Sequence, residues 1–417
     1  MSMFSSFLSW LRGEPPEEDP DVQEAFVLRL RTMVQTVDPS IHFDASDQAF
    51  VSETGTRAYV GNHWDRYRLA PEEEREGVLI DTARIIVSFG GDVPDTPQTW
   101  AETAPCVLPR LRPRHMYEVV ALRSRLRESA PSDGPMATLR PLRGDLHVEL
   151  AYDLPTAIQN LRPDKLREWG VDLDTAYSRA LKNLADITPA GAFEAITDGL
   201  YATEVGDCYD SSRMLLVERV RALPLRGRPL ALPANRDTLV ITGEDDDSGV
   251  ERLLQIAVQA MDQPRLDTVA PLVLTDEGWR AWLPPRQHRL HAEWRELELR
   301  DRGTAYSAVR EALLALQEAD IEPAVAIASF GALLHDGVPM SCTVWERAPV
   351  WLPRTELVLV VVEGRESLLV TRDRLLSELE GRVVPLEGVF PAYDAVDTAP
   401  TVELVDRLLP HALEVSD

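Results

Sequence analysis

Apolar residues recur along this chain with two periods, and the alternation between them marks out its elements. "VQEAFVLRLRTMV" puts Phe26, Val27, Leu30 and Met33 on one side of a helix running from about Asp21 to Val37. "IHFDASDQAFVSETGTRAYVG" alternates with period two, which predicts short antiparallel strands. "APEEEREGVLIDTARIIVSFG" returns to helical spacing. Its glutamates suit the positive start of a helix, and Gly90 and Gly91 close it. "LHVELAYDL" reads as a half-buried strand and "LRPDKLREWGVDLDTAYSRALKNLAD" as helix broken at Gly170. "RMLLVERVRAL" reads as helix and "PLALPANRDTLVITG" as a strand pair. "SGVERLLQIAVQAM" follows as a helix with Ser248 as its N-cap. "APLVLTDEGWRAWLPP" reads as a hairpin turning at Glu277 and Gly278.

The irregular mixture of strands and helices predicts an α+β fold, with mixed or antiparallel sheets and packed helices, rather than a doubly wound parallel sheet. Polar and Pro-rich breaks divide it into an amphipathic segment and linker (1–20) and modules over 21–130, 139–300 and 303–417. The third module opens with a helix, "AYSAVREALLALQEADI". It also echoes an earlier stretch without gaps: "ELVLVVVEGRESLLVTRDRLLSELEG" aligns with "DLHVELAYDLPTAIQNLRPDKLREWG". Reuse of a strand–strand–helix unit is the expectation.

Charge narrows the field. The chain carries a net −26, which opposes phosphate backbones, so no nucleic-acid partner is expected and basic protein surfaces are favoured. The one basic stretch that bears on this is "LPRLRPRH", Leu108 to His115, with no aromatic platform beside it. No run reaches the roughly 18 apolar residues that a membrane span needs. Three isolated cysteines and no secretory signal predict a reduced, cytoplasmic protein. In "MFSSFLSWLRG", Phe4, Phe7, Leu8 and Leu11 share one face, a candidate contact for a protein partner.

Two segments gather chemistry. "VGDCYDSSRML" sets Asp207, Asp210 and Arg213 around a thiol and two hydroxyls. A capped, ion-paired loop accounts for every residue type there, with Gly206 taking a positive φ and Asp210, Ser211 and Ser212 capping the helix. An anion or ligand site at the helix start uses the same groups. "ANRDTLVITGEDDD" adds Asn235, Arg236 and Asp237 at a tight turn, followed by an acidic loop without calcium-loop spacing. His288 and His291 in "HRLHAE" would share a helix face, but the surroundings are polar enough for a plain exposed helix. No HExxH, P-loop, GxSxG or dinucleotide fingerprint occurs, so no catalytic residue, metal site or cofactor is assigned.

The order "APCVLPRLRP", "LHVELAYD", "LREWGVDLDTAYSRALKNL", "GDCYDSSRML" and "LALPANRDTLVITG" resembles the YtpQ-like family of bacterial proteins (domain of unknown function 1444). The resemblance runs from about Val22 to Arg300 and leaves an extra C-terminal module. It has Cys208 where the family pattern has glycine. It implies a cytoplasmic α+β protein and no reaction. The expectation is thus a non-catalytic interaction scaffold or adaptor. The alternative is an enzyme or small-anion or ligand-binding protein, with its site at Asp207, Asp210, Arg213, Asn235, Arg236 and Asp237.

Overall fold

A computed structural model describes residues 20–45, 48–52, 57–60, 63–64, 67–68, 70–89, 97–127, 137–153, 158–261, 266–379, 381–386 and 388–413. The amphipathic segment with Phe4, Phe7, Leu8 and Leu11 lies outside the described residues. The chain divides into two compact units. One comprises 1–109, 150–189 and 262–265, the other 110–149, 190–261 and 266–417.

The first half of the chain contains α1 (Pro20–Val37), β1 (His42–Asp44), β2 (Ala49–Val51), β3 (Arg57–Tyr59), α2 (Glu72–Phe89), α3 (Trp100–Thr103), β4 (Val107–Pro113), α4 (Arg114–Arg127), β5 (Thr138–Arg143), β6 (Leu146–Asp153), β7 (Ile158–Asn160), α5 (Pro163–Glu168) and α6 (Leu173–Ile187). In the first unit α1 buries Phe26, Leu30 and Val34, four residues apart, with Leu79, Ala83 and Ile86 of α2 and Phe50 of β2. β1 to β3 form an antiparallel sheet, as their alternation predicts. A second core in the same unit joins Val107, Leu150, Leu161 and Leu166 to Ala176 and Ala180 of α6. Asn183, on the same helix, ties down the backbone beside it by donating to the carbonyls of Ala104 and Val107, 2.8 Å each.

Next come β8 (Phe193–Thr197), β9 (Leu200–Thr203), a 3-10 turn (Ser211–Leu215), α7 (Val217–Arg221), β10 (Pro229–Asn235), β11 (Thr238–Gly243), α8 (Asp247–Ala260), β12 (Leu272–Thr275) and β13 (Gly278–Ala281). The strands form an antiparallel six-stranded sheet in the order β13-β12-β10-β11-β9-β8. Every residue of β11 is buried. Three local expectations change here. The N-cap of α8 is Asp246, which accepts from the Gly249 amide, so Ser248 already sits inside the helix. The hairpin turns through Asp276 and Glu277, and Gly278 begins β13 opposite Thr275. "RMLLVERVRAL" is the 3-10 turn plus short α7, separated at Leu216, whose backbone is not helical (φ −80°, ψ 65°).

The 28-residue helix α9 (His291–Glu318) runs without interruption through 300–303, where the expected modules meet. Its described neighbours include α4, β16 and α8. Beyond it lie β14 (Ala326–Ile327), β15 (Gly331–His335), β16 (Val338–Trp345), β17 (Val350–Pro353), β18 (Leu357–Val360), β19 (Leu368–Thr371), α10 (Arg372–Glu378), β20 (Val383–Pro385), β21 (Tyr393–Val396) and α11 (Val402–Leu408). They make two mixed four-stranded sheets, β14-β17-β21-β20 and β15-β16-β18-β19, around Trp345, Val358, Val370, Leu375 and Leu408. The fold is α+β, with antiparallel and mixed sheets. The two self-similar segments share an element order: β6, β7 and α5 in one, β18, β19 and α10 in the other. Each ends on a glycine of positive φ, Gly170 at 65° and Gly381 at 72°.

Two glycines separate close packing from backbone freedom. A Cβ on Gly243 would lie 1.9 Å from the Arg226 carbonyl oxygen, whereas one on Gly77 in α2 meets nothing within 4 Å. Gly243→Ala should therefore cost about 2 kcal/mol or more through forced backbone movement. Gly77→Ala should stabilise by about 0.5–1 kcal/mol by removing a flexible residue from an exposed helix position. Urea-unfolding midpoints of the two variants against the parent check both signs.

Candidate functional site

The quoted loop is a closed ion-pair lock. Arg213 is wholly buried and donates through both terminal nitrogens to Asp207, at 2.8 and 2.6 Å, and through Nη1 to Asp210 at 3.2 Å. Asp210 does not cap the following turn, contrary to expectation. Its carboxylate faces back along the chain and accepts from the amides of Val205 and Gly206, 2.9 Å each. Burial pushes Asp210 above the usual carboxylate range, although both amides and Arg213 oppose it. Burial acts on Asp207 in the same sense, but there the Arg213 hydrogen bonds prevail and hold the carboxyl below its ordinary value. Gly206 has φ 77°, as its place in the turn predicts. Cys208 has φ 70°, a left-handed conformation that favours glycine and explains why glycine suits this position. Cys208 is half-buried and forms no disulfide.

The second expected segment lies beside the lock through backbone alone: the Ser211 amide donates to the Arg236 carbonyl at 3.2 Å. Arg236 pairs with Asp237, 3.0 Å away, and Asn235 accepts the Asp237 amide to form the predicted tight turn. Arg213 and Arg236 thus have separate partners, and none of the six expected ligand residues lines the cavities described below. Glu244 of the acidic loop is paired with Arg228, and Asp246 caps α8. His288 sits in the turn before α9, near Asp247, while His291 is buried and bonded to the Pro284 carbonyl at 2.7 Å, so the two rings serve different partners. Among the described residues no group of three His, Cys, Asp or Glu is set to hold a metal ion.

The basic stretch Leu108–His115 is not a surface patch. Most of it is strand β4, in which Arg112 is buried and Arg110 largely so. Arg112 donates to Asp267 at 3.1 Å, and the Ser211 hydroxyl donates to the other oxygen of the same carboxyl at 3.4 Å. Arg110 Nε stands 3.8 Å from Glu149, which is wholly buried. Burial and then the Glu149 charge push the Tyr117 hydroxyl up beside them. Two segments that the sequence singles out for other reasons, the basic stretch and the quoted loop, therefore converge on Asp267, which sequence reading passes over.

Asp267 also lines a cavity of about 360 Å³ in the second unit. Five separate segments build its wall: Arg143–Leu146, Asp267–Leu272, Ala281 of β13, a face of α9, and the loop Phe390–Ala392. Glu298, Asp301, Arg302, Ala305 and Tyr306 follow i, i+3, i+4, i+7, i+8 spacing, so one side of α9 presents them together. Asp145 accepts the His115 amide at 2.9 Å and pairs with the His115 ring. The Tyr306 hydroxyl donates to the Ala392 carbonyl at 2.9 Å, and its ring stacks on Phe330 at 4.9 Å. Burial, only partly offset by Arg112, raises Asp267 to about 6. Burial followed by the charges of Asp145 and Glu298 raises Asp301 to about 7, against His115 and the Thr268 hydroxyl. A larger groove of about 810 Å³ runs beside β14, but its acid Glu346 is paired with Arg347 at the surface, and it gathers no buried carboxyl.

No family model matches the chain, and no curated protein or solved structure matches it either. No described helix is long and apolar enough to cross a membrane. What fold and geometry define is an α+β protein with a carboxyl-rich cavity beside a buried arginine strand.

Two outcomes follow. Arg213→Ala should destabilise the chain by about 3–5 kcal/mol, because it strands the buried Asp210 carboxylate. Arg213→Lys should recover only part of this, since an ammonium cannot bridge Asp207 bidentately; chemical denaturation reads both. For Asp301 the native pKa lies above the unfolded value near 3.8. The native state therefore holds more protons between about pH 4 and 7, and stability falls as pH rises through that window. Asp301→Asn, which cannot ionise, should gain stability relative to the parent on going from pH 5 to pH 8. A difference in unfolding midpoint that stays constant across that range would remove the ionisation cost.

Proposed function

We propose that this chain binds a small organic molecule in the cavity walled by α9. The observation that carries this reading is the convergence of one buried carboxyl, Asp267, three half-buried ones, Asp145, Glu298 and Asp301, and the rings of Tyr306 and Phe390 on one open volume. Its size falls within the range of small-molecule sites, which pair apolar walls with a few placed polar groups. Ala270, Pro271 and Leu272 supply the apolar wall. Carboxyls with raised proton affinity in a cleft add to the argument, since charge is kept there at a cost to stability. The reading includes a reducing cytoplasmic setting, supported by three cysteines present as thiols. It assigns no reaction, as the YtpQ-like resemblance assigns none. The six residues of the lock and the tight turn support the wall through Ser211 and do not contact the ligand. The scaffold alternative places its contacts on Phe4, Phe7, Leu8 and Leu11 and has no further support.

Ala281 lines the cavity and is exposed, so a large side chain there should obstruct the opening without disturbing the core. A thermal-shift screen of small metabolites against the full chain should yield compounds that raise Tm, with the gain lost in Ala281→Trp. Compounds that stabilise both proteins equally would place the binding elsewhere.

A further inference from the structure

The charges around the cavity do not balance in pairs. Asp145 is answered by His115, Asp267 by Arg112 and Glu298 by Arg295. Asp301 forms no ion pair among the described residues; its partner is the neutral hydroxyl of Thr268. The adjacent Arg302 is committed elsewhere. It donates to the Arg354 carbonyl at 3.2 Å and lies over the Phe330 ring, 5.3 Å from its centre. Arg143 at the remaining edge is exposed. The one wall carboxyl with no ion pair among the described residues is therefore half-buried beside an open volume, near His115 and between two further acids, Asp145 and Glu298. A carboxylate in that position is costly until a positive charge meets it.

Resting on the reading that this cavity is a ligand site, we propose that it selects an organic cation, an amine with a compact apolar body, whose ammonium group takes the place of the proton on Asp301. Ammonium and protonated carboxyl become an ion pair, and the proton leaves to solvent. An anion would face Asp145, Asp267 and Glu298, and a neutral molecule would leave Asp301 as it is. The aromatic rings do not provide the recognition. Arg114 already covers the Phe390 ring at 4.6 Å, and Tyr306 stacks on Phe330. The apolar wall of Ala270, Pro271 and Leu272 receives the body of the amine.

Three probes with one body and three charges test this: cyclohexylamine, cyclohexanol and cyclohexanecarboxylate, titrated calorimetrically into the full chain. The amine should bind best. Its affinity should rise about tenfold per pH unit below pH 7 and level off above it, as expected when one proton is released on binding. The heat at pH 6 should vary with the ionisation enthalpy of the buffer in proportion to close to one proton. Asp301→Asn should weaken the amine at least tenfold and abolish the buffer dependence, while Ala281→Trp should abolish binding altogether. The buffer experiment uses the unmodified chain, so it stands even if the Asp301 variant folds poorly. Preferential, Ala281→Trp-sensitive binding of the alcohol or the carboxylate would overturn the cation assignment and leave the ligand site intact. Amine binding without proton release would overturn it equally. If no probe binds in an Ala281→Trp-sensitive way at millimolar concentration, the ligand-site reading and the cation assignment fall together.

Discussion

Two arginines on a buried strand constrain much of the second unit. Arg110 and Arg112 point into the protein from β4, and a guanidinium stays charged at any accessible pH. Burial of such groups is tolerated only where carboxylates and hydroxyls meet them. Glu149 from β6, Asp267 from the loop before β12 and Ser211 from the 3-10 turn do so. Three segments far apart in sequence are thereby held to one strand. The Asp267 amide, donating to the Ala234 carbonyl at 2.8 Å, anchors the same loop to β10. The placement of Asp267 and Thr268 in the cavity wall is a consequence of this anchoring, because the loop has little freedom to turn elsewhere.

The Arg213 lock extends the constraint by one layer. It fixes the segment that delivers Ser211, using the two carboxylates and the positive φ of Gly206 and Cys208 to fold the chain back on itself. Burying these charges brings little net stability, since desolvation consumes most of the Coulomb gain. Its value is geometric. The guanidinium is held on two sides, by Asp207 and Asp210, and that arrangement leaves Ser211 facing Asp267. The residues that look most like an active site in the sequence are in this sense a support for a site one residue pair away.

Local pattern was legible where a single element decides the outcome. The buried faces of α1 and α2, the short antiparallel strands and the positive φ of Gly206 all follow from spacing or from steric limits that act within a few residues. Ser248 failed as a cap because Asp246, two residues earlier, reaches the Gly249 amide, and both residue types cap well. The basic stretch and the face of α9 were illegible for a different reason. "LPRLRPRH" and "ELELRDRG" have the composition of exposed segments, and nothing local marks Arg112 or Asp301 as enclosed. Arg112 depends on a counter-group more than 100 positions away, and the setting of Asp301 is made by Asp145, His115 and Thr268, which only the fold brings near.

Asp301 shows what such a long-range setting implies. Every other acid of the cavity wall has a partner from its own fold, an arginine for Asp267 and Glu298 and the His115 ring for Asp145. For Asp301 the neighbouring groups are two carboxyls, the His115 ring, one hydroxyl and open space. If structure alone were served, leucine or methionine would fill that position of α9 at lower cost, because a packed apolar side chain needs no counter-charge and would occupy part of the void. The carboxyl instead keeps a proton that it must give up or cover when the surroundings change. A positively charged guest removes this cost at the moment of binding, so part of its affinity comes from relief of strain already present in the empty protein. The same balance sets the selectivity. The free energy gained depends on the guest's charge far more than on its shape, which is why a cavity with ordinary apolar walls can discriminate between molecules of nearly equal size.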